Sequence, residues 1–106
     1  MGIENENGPE MISFEIIANA GDARSFAFGA LEAAKAGNFE EAEELLKKSN
    51  AAAVEAHHAQ TELLVKEANG EKTQVDVLLV HAQDHLMTSM LAVELIKELI
   101  ALYKNK

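Results

Sequence analysis

The only proline in this chain is Pro9, and beyond it only glycine interrupts a long run of helix-forming residues. That punctuation limits the fold more than any other feature. Proline inside a helix costs about 3 kcal/mol, but at the first helical position its missing N–H is one of the groups left unpaired anyway. Pro9 therefore predicts a helix start. Gly37 and Gly70 divide the rest into three segments of similar length, and glycine readily adopts the left-handed backbone that closes a helix. Ala, Leu, Glu and Lys dominate, and aromatic residues make up only 5%, so sheet-forming types are scarce. Helices are predicted over residues 9–36, 39–68 and 74–104, each roughly 40–46 Å long at ~1.5 Å per residue. Short connections fold neighbouring helices back on one another, which gives an all-α, antiparallel three-helix (up-down-up) subunit.

The predicted boundaries carry their own chemistry. Asn38, with Glu41 three residues on, has the spacing of a reciprocal cap for the second helix. Thr73, with Asp76 at the same offset, is expected to open the third. Residues 1–10 are acidic and lack apolar periodicity, so they are read as a flexible leader, with residues 11–106 as the one domain. A formal net charge of -9 repels nucleic acid and anionic lipid, which makes both poor partners. The chain has no cysteine, so thiolate metal sites and thiol catalysis are excluded. Met1-Gly2-Ile3-Glu4 is acidic where a secretory signal is basic, and a cytoplasmic location is expected.

The second helix is amphipathic in the ordinary way, with Phe39, Ala42, Leu46, Ser49, Ala53, Ala56, Gln60 and Leu63 on one stripe. The third is not. One stripe reads Val75, Leu79, Ala82, Leu86, Met90 and Val93, and a second reads Val77, Val80, Asp84, Met87, Leu91 and Leu95. A three-helix subunit needs only one of these faces, so the second predicts self-association. Direct membrane insertion is the competing explanation. It fails because His81, Gln83, Asp84 and His85 sit in the middle of the stretch.

That polar island is where chemistry is expected. Three ionisable groups occupy five residues of an otherwise uncharged run, and each buried group left unpaired would cost about 1–3 kcal/mol. His81 and His85 are four apart and share a helix face. The plainest reading is a pair of structural histidines. His81-x-x-Asp84-His85 also has the layout of an inverted zinc-hydrolase motif, with Asp in place of Glu, although a third ligand is not evident. A third reading is phosphoryl transfer through a neutral imidazole, which is nucleophilic near neutral pH.

The run Val80-His81-Ala82-Gln83-Asp84-His85-Leu86-Met87-Thr88-Ser89-Met90-Leu91 closely resembles the signature of the enzyme IIA proteins of the lactose and N,N′-diacetylchitobiose/cellobiose branch. These belong to the bacterial phosphoenolpyruvate-dependent sugar phosphotransferase system. Gly21-Asp22-Ala23-Arg24-Ser25, Gly37-Asn38-Phe39, Glu55-Ala56-His57 and Gln60-Thr61 extend the resemblance over nearly all of residues 11–104. It implies a homotrimeric nine-helix bundle. It implies His81 as the phosphorylated residue, carrying phosphate on Nε2. It further implies that Asp84 meets its two symmetry mates around a divalent cation, Mg2+ or similar, on the trimer axis. Three carboxylates converging near 4 Å would repel by roughly 4 kcal/mol per pair at an effective dielectric of about 20, and a hard cation with oxygen ligands relieves that.

The implied partners are HPr, which donates phosphate, and a IIB cysteine, which receives it; through IIB the chain serves a membrane IIC permease. Ala82 and the run Thr88-Ser89-Met90-Leu91 look more like diacetylchitobiose/cellobiose proteins than lactose ones. His57, Gln83 and His85 are read as residues able to line the site around His81. Arg24, the only arginine, is expected to pair with Asp22 or a glutamate. The echo of His58-Ala59-Gln60 in His81-Ala82-Gln83 is read as coincidence.

Overall fold

The computed structural model describes residues 8–106 as three helices: α1 (Pro9–Lys35), α2 (Phe39–Ala68) and α3 (Val77–Lys104). Of the expected leader, residues 1–7 lie outside the described residues. Pro9 and Glu10 already belong to α1, whose first turn closes with the Ile12 N–H donating to the Gly8 carbonyl at 3.0 Å.

Both glycine turns form as their chemistry requires. Gly37 and Gly70 have φ of 84° and 88°, the only positive values among the described residues. At the first turn the N–H groups of Gly37 and Asn38 donate to the carbonyls of Ala34 and Ala33; at the second, those of Gly70 and Glu71 donate to Glu67 and Lys66. These paired bonds satisfy carbonyls that a helix end otherwise leaves open.

Two expected caps are corrected. Asn38 makes no side-chain capping bond, and its backbone N–H is spent closing α1. Thr73 does not open α3. Asp76 does: its carboxylate accepts the Leu79 N–H at 2.8 Å. A carboxylate outcompetes a hydroxyl at the positive end of a helix. The extended backbone of Asp76 (φ -134°, ψ 177°) also excludes it from the first turn of a helix begun at Thr73. Val75 consequently falls outside the helix and is exposed.

α1 packs against both other helices, while α2 and α3 touch each other little. The buried side of α1 is mostly alanine: Ala20, Ala23, Ala27, Ala30, Ala33 and Ala34. Small side chains let the helices approach closely. One buried cluster joins the C-terminal half of α1 to Ala42, Val93, Ile96 and Ile100. The other joins Ile12, Ile16 and Ala20 to Ala56, Ala59, Leu63, Ala82 and Leu86. The Ser49 hydroxyl is buried and donates to the Ala23 carbonyl at 2.7 Å. That of Ser89 is also buried and has no partner among the described residues.

The α3 stripes separate as their periodicity predicts. Ala82, Leu86, Ser89, Val93, Ile96 and Ile100 are buried. Roughly opposite, at 3.6 residues per turn, Val77, Val80, Met87, Leu91 and Leu95 are exposed, Val77 by 85% and Met87 by 67%. No helix of the described residues is long and apolar enough to cross a membrane.

Candidate functional site

His81 and His85 stand one turn apart on the flank of α3 between its buried and exposed stripes. Their rings stack, with centroids 5.7 Å apart and planes inclined by 19°. The two differ in surroundings. His81 is exposed, whereas His85 is half-buried and reaches α1, where its Nε2 lies 3.4 Å from the position a side-chain carbon on Gly21 would occupy. The His85 ring thus stands against the bare backbone of α1 at Gly21 and against the His81 ring. Among the described residues no third His, Asp or Glu stands with this pair to complete a zinc site. The inverted-motif reading therefore finds no support in the geometry.

Asp84 is exposed, on the uncovered stripe with Val80, Met87 and Leu91. Its carboxylate has no hydrogen-bond or ion-pair partner among the described residues; its backbone carbonyl accepts the Thr88 hydroxyl at 2.9 Å. The described residues of one chain bring no three His, Asp or Glu side chains together as a metal site. A single subunit therefore offers a hard cation one carboxylate. The donor chemistry fits only when copies of Asp84 meet, giving an oxygen-only set.

Gln83 lies on the other flank of α3. Its Oε1 accepts a hydrogen bond from Gln60 Nε2 of α2 at 2.7 Å, so it faces away from His81 of its own chain. The two glutamines of the His-Ala-Gln echo thus meet across α2 and α3, and the alanines before them, Ala59 and Ala82, are both buried. His57 and His58 are exposed on α2, and the His57 carbonyl accepts the Thr61 hydroxyl at 2.9 Å. His57 is thus not part of the His81–His85 stack. Arg24 forms no ion pair among the described residues, and its guanidinium lies over the Phe28 ring at 5.8 Å.

Gly21, which the sequence places only in a matched run of the first helix, lies against His85 in the structure. The signal was present: a glycine within an alanine-rich helix costs about 1 kcal/mol against alanine and so marks a close approach.

The family described as "PTS system, Lactose/Cellobiose specific IIA subunit" matches residues 11–104. A lactose-specific EIIA component from Streptococcus mutans is 50% identical over 101 residues, covering 95% of this chain and 97% of that protein. The crystal structure of the cellobiose-specific enzyme IIA from Bacillus anthracis superposes with a TM-score of 0.87 at 54% identity, covering 90% of this chain and 87% of that one. A IIA(Chitobiose) chain, solved in solution in complex with HPr from the N,N′-diacetylchitobiose branch of the Escherichia coli phosphotransferase system, gives a TM-score of 0.78 at 48% identity, with 91% and 93% covered.

Proposed function

The chain belongs to the lactose/cellobiose-specific IIA family of the phosphotransferase system, and on that footing we propose that His81 is the residue that carries the phosphoryl group. As a IIA protein the chain is a sugar-specific phosphocarrier. The observation that carries the residue assignment is the placement of the His81 ring: exposed, backed on one side by His85, and open towards the uncovered face of α3. An imidazole held in this way keeps one nitrogen available for in-line attack.

The donor is the phosphohistidine of HPr. Its N–P bond breaks as the Nε2 lone pair of His81 forms a new one. The second step reverses the roles: the His81 N–P bond breaks as an S–P bond forms on the IIB cysteine. The protein positions the groups, and phosphohistidine keeps the transfer potential high enough for both steps to run. The HPr-bound relative supports the donor assignment.

The working unit is a homotrimer. Support comes from α3, whose exposed stripe carries side chains as large as those it buries. With three stripes facing one axis, three copies of Asp84 would hold a divalent cation, Mg2+ by its preference for oxygen; the ion supplies charge neutralisation at the interface. The cargo is a β-linked disaccharide, cellobiose or N,N′-diacetylchitobiose rather than lactose. Ala82 and the Thr88–Leu91 run support this choice; cellobiose, chitobiose and lactose relatives match at similar identity.

Incubation with phosphoenolpyruvate, enzyme I and HPr tests the site. The parent protein should gain one acid-labile phosphoryl group per chain, and His81→Gln should gain none while remaining helical. Full labelling of the variant on His85 or His57 would overturn the assignment. A parent protein that takes up no phosphate would point instead to a structural trimer.

A further inference from the structure

Gly21 sits in the interior of α1, where glycine is the poorest helix former apart from proline. What it provides is room. A side-chain carbon at this position would stand 3.4 Å from His85 Nε2, the near limit of ordinary contact, and anything larger than a methyl group would have to displace the ring. His85 in turn stacks on His81 at 5.7 Å and 19°. Three groups therefore lie in contact one after another: the bare α1 backbone at Gly21, the half-buried His85 ring against it, and the exposed His81 ring one turn along α3.

We propose that Gly21 and His85 are positioning residues for the phosphoryl-accepting imidazole, with the missing side chain at position 21 setting how deeply His85 sits and hence the direction in which His81 presents Nε2. The inference rests on His81 being the acceptor. An exposed imidazole has few neighbours to hold its rotamer, and a free ring samples several staggered orientations. In-line transfer uses only the fraction of these that point Nε2 at the donor phosphorus. A ring stacked against a buttress that is itself seated on a helix backbone loses that freedom before the donor arrives. The effect belongs to the transfer step and not to donor binding, because neither Gly21 nor His85 projects beyond His81.

The test is a double-mutant cycle on the full-length protein, with phosphorylated HPr as donor. Gly21→Ala replaces glycine with the best helix former and puts a methyl group against His85 Nε2. It should keep or raise the melting temperature and leave kcat within about twofold, because a methyl group stands in ordinary contact with the ring without moving it. Gly21→Val and His85→Ala should each lower kcat by about tenfold, with KM for phospho-HPr little changed, as expected when orientation alone is lost. In the His85→Ala background, Gly21→Val should cause no further loss, since the ring it displaces is gone. His85→Phe, which keeps a ring over Gly21, should recover most of the rate in the Gly21 protein and none in the Gly21→Val protein.

Multiplying losses in the double variant would overturn the proposal, as would an unchanged kcat in Gly21→Val or in His85→Ala. So would a fall in KM-dependent binding without a change in kcat. Should Gly21→Val not fold, the His85 variants decide: a kcat lost in His85→Ala and recovered in His85→Phe supports the positioning ring, and equal rates in the two overturn it. The His81→Gln control keeps the outcomes separate: label remaining in that variant refutes the acceptor assignment, whatever the Gly21 series shows.

Discussion

The two long faces of α3 carry side chains of the same kind and meet different fates. Leu86 is 1% exposed and Leu91, little more than one turn further on, is 58% exposed. The buried face fits against α1 because α1 offers alanines: Ala20, Ala23 and Ala27 leave space for Leu86, Val93 and Met90. The other face meets no helix among the described residues. At about 25 cal/mol per Å2 of apolar area, leaving it in water forfeits stabilisation similar to that gained on the first face. The proposed homotrimer would cover this face, giving a subunit with alanine at its centre a second apolar contact.

The largest expected contrast is between those two leucines. Leu86→Ala should lower stability by about 2–5 kcal/mol, seen as a lower melting temperature at every protein concentration. Leu91→Glu should leave the helical content intact and break up the assembly, with sedimentation reporting a smaller species. A Leu91→Glu protein that sediments like the parent would erase the distinction between an intrachain and an interchain face.

Asp84 sharpens the comparison, being the charge on the otherwise apolar outer stripe from Val77 to Leu95, apart from Glu94 at its margin. Chelator should weaken the parent assembly at neutral pH. Asp84→Leu should assemble without metal and resist chelator, because hydrocarbon replacing a buried charge is often neutral or stabilising. Equal sensitivity of the two proteins in sedimentation would remove Asp84 from any axial metal site.

Smaller effects concern where the helix begins and what its inner face leaves unpaired. Asp76→Ala should cost about 1 kcal/mol in chemical denaturation, whereas Thr73→Ala should stay within about 0.5 kcal/mol. Equal losses would restore Thr73 as a cap. On the inner face, Ser49→Ala removes a 2.7 Å bond to the Ala23 carbonyl and should cost about 1 kcal/mol. Ser89→Ala removes a hydroxyl with no partner among the described residues and should leave the melting temperature level or raise it. A clear loss at Ser89 would show that its hydroxyl is paired in solution.

Much of this architecture is local and was therefore legible residue by residue. Pro9, Gly37 and Gly70 set the helix limits through φ and a missing N–H, properties those residues carry anywhere. The twin stripes of α3 follow from periodicity alone, and so does the placement of His81 and His85 on one flank. The caps were harder. Thr73 and Asp76 both satisfy the rule for opening a helix, and only backbone geometry shows that Asp76 takes the role. Arg24 had carboxylates nearby in sequence, yet it lies over Phe28.

The sequence by itself determined three helices, their turns, a second apolar stripe on α3, and the residues of the polar island. Tertiary structure decided which groups meet across helices: α1 in contact with both partners, Gln60 against Gln83, and Gly21 beneath His85. The division has one physical cause. Helix limits and stripes arise from interactions within about four residues, which any stretch of sequence displays. A contact such as Gly21 with His85 spans most of the chain, and its distance depends on how closely α1 and α3 pack, a quantity set jointly by every small side chain between them.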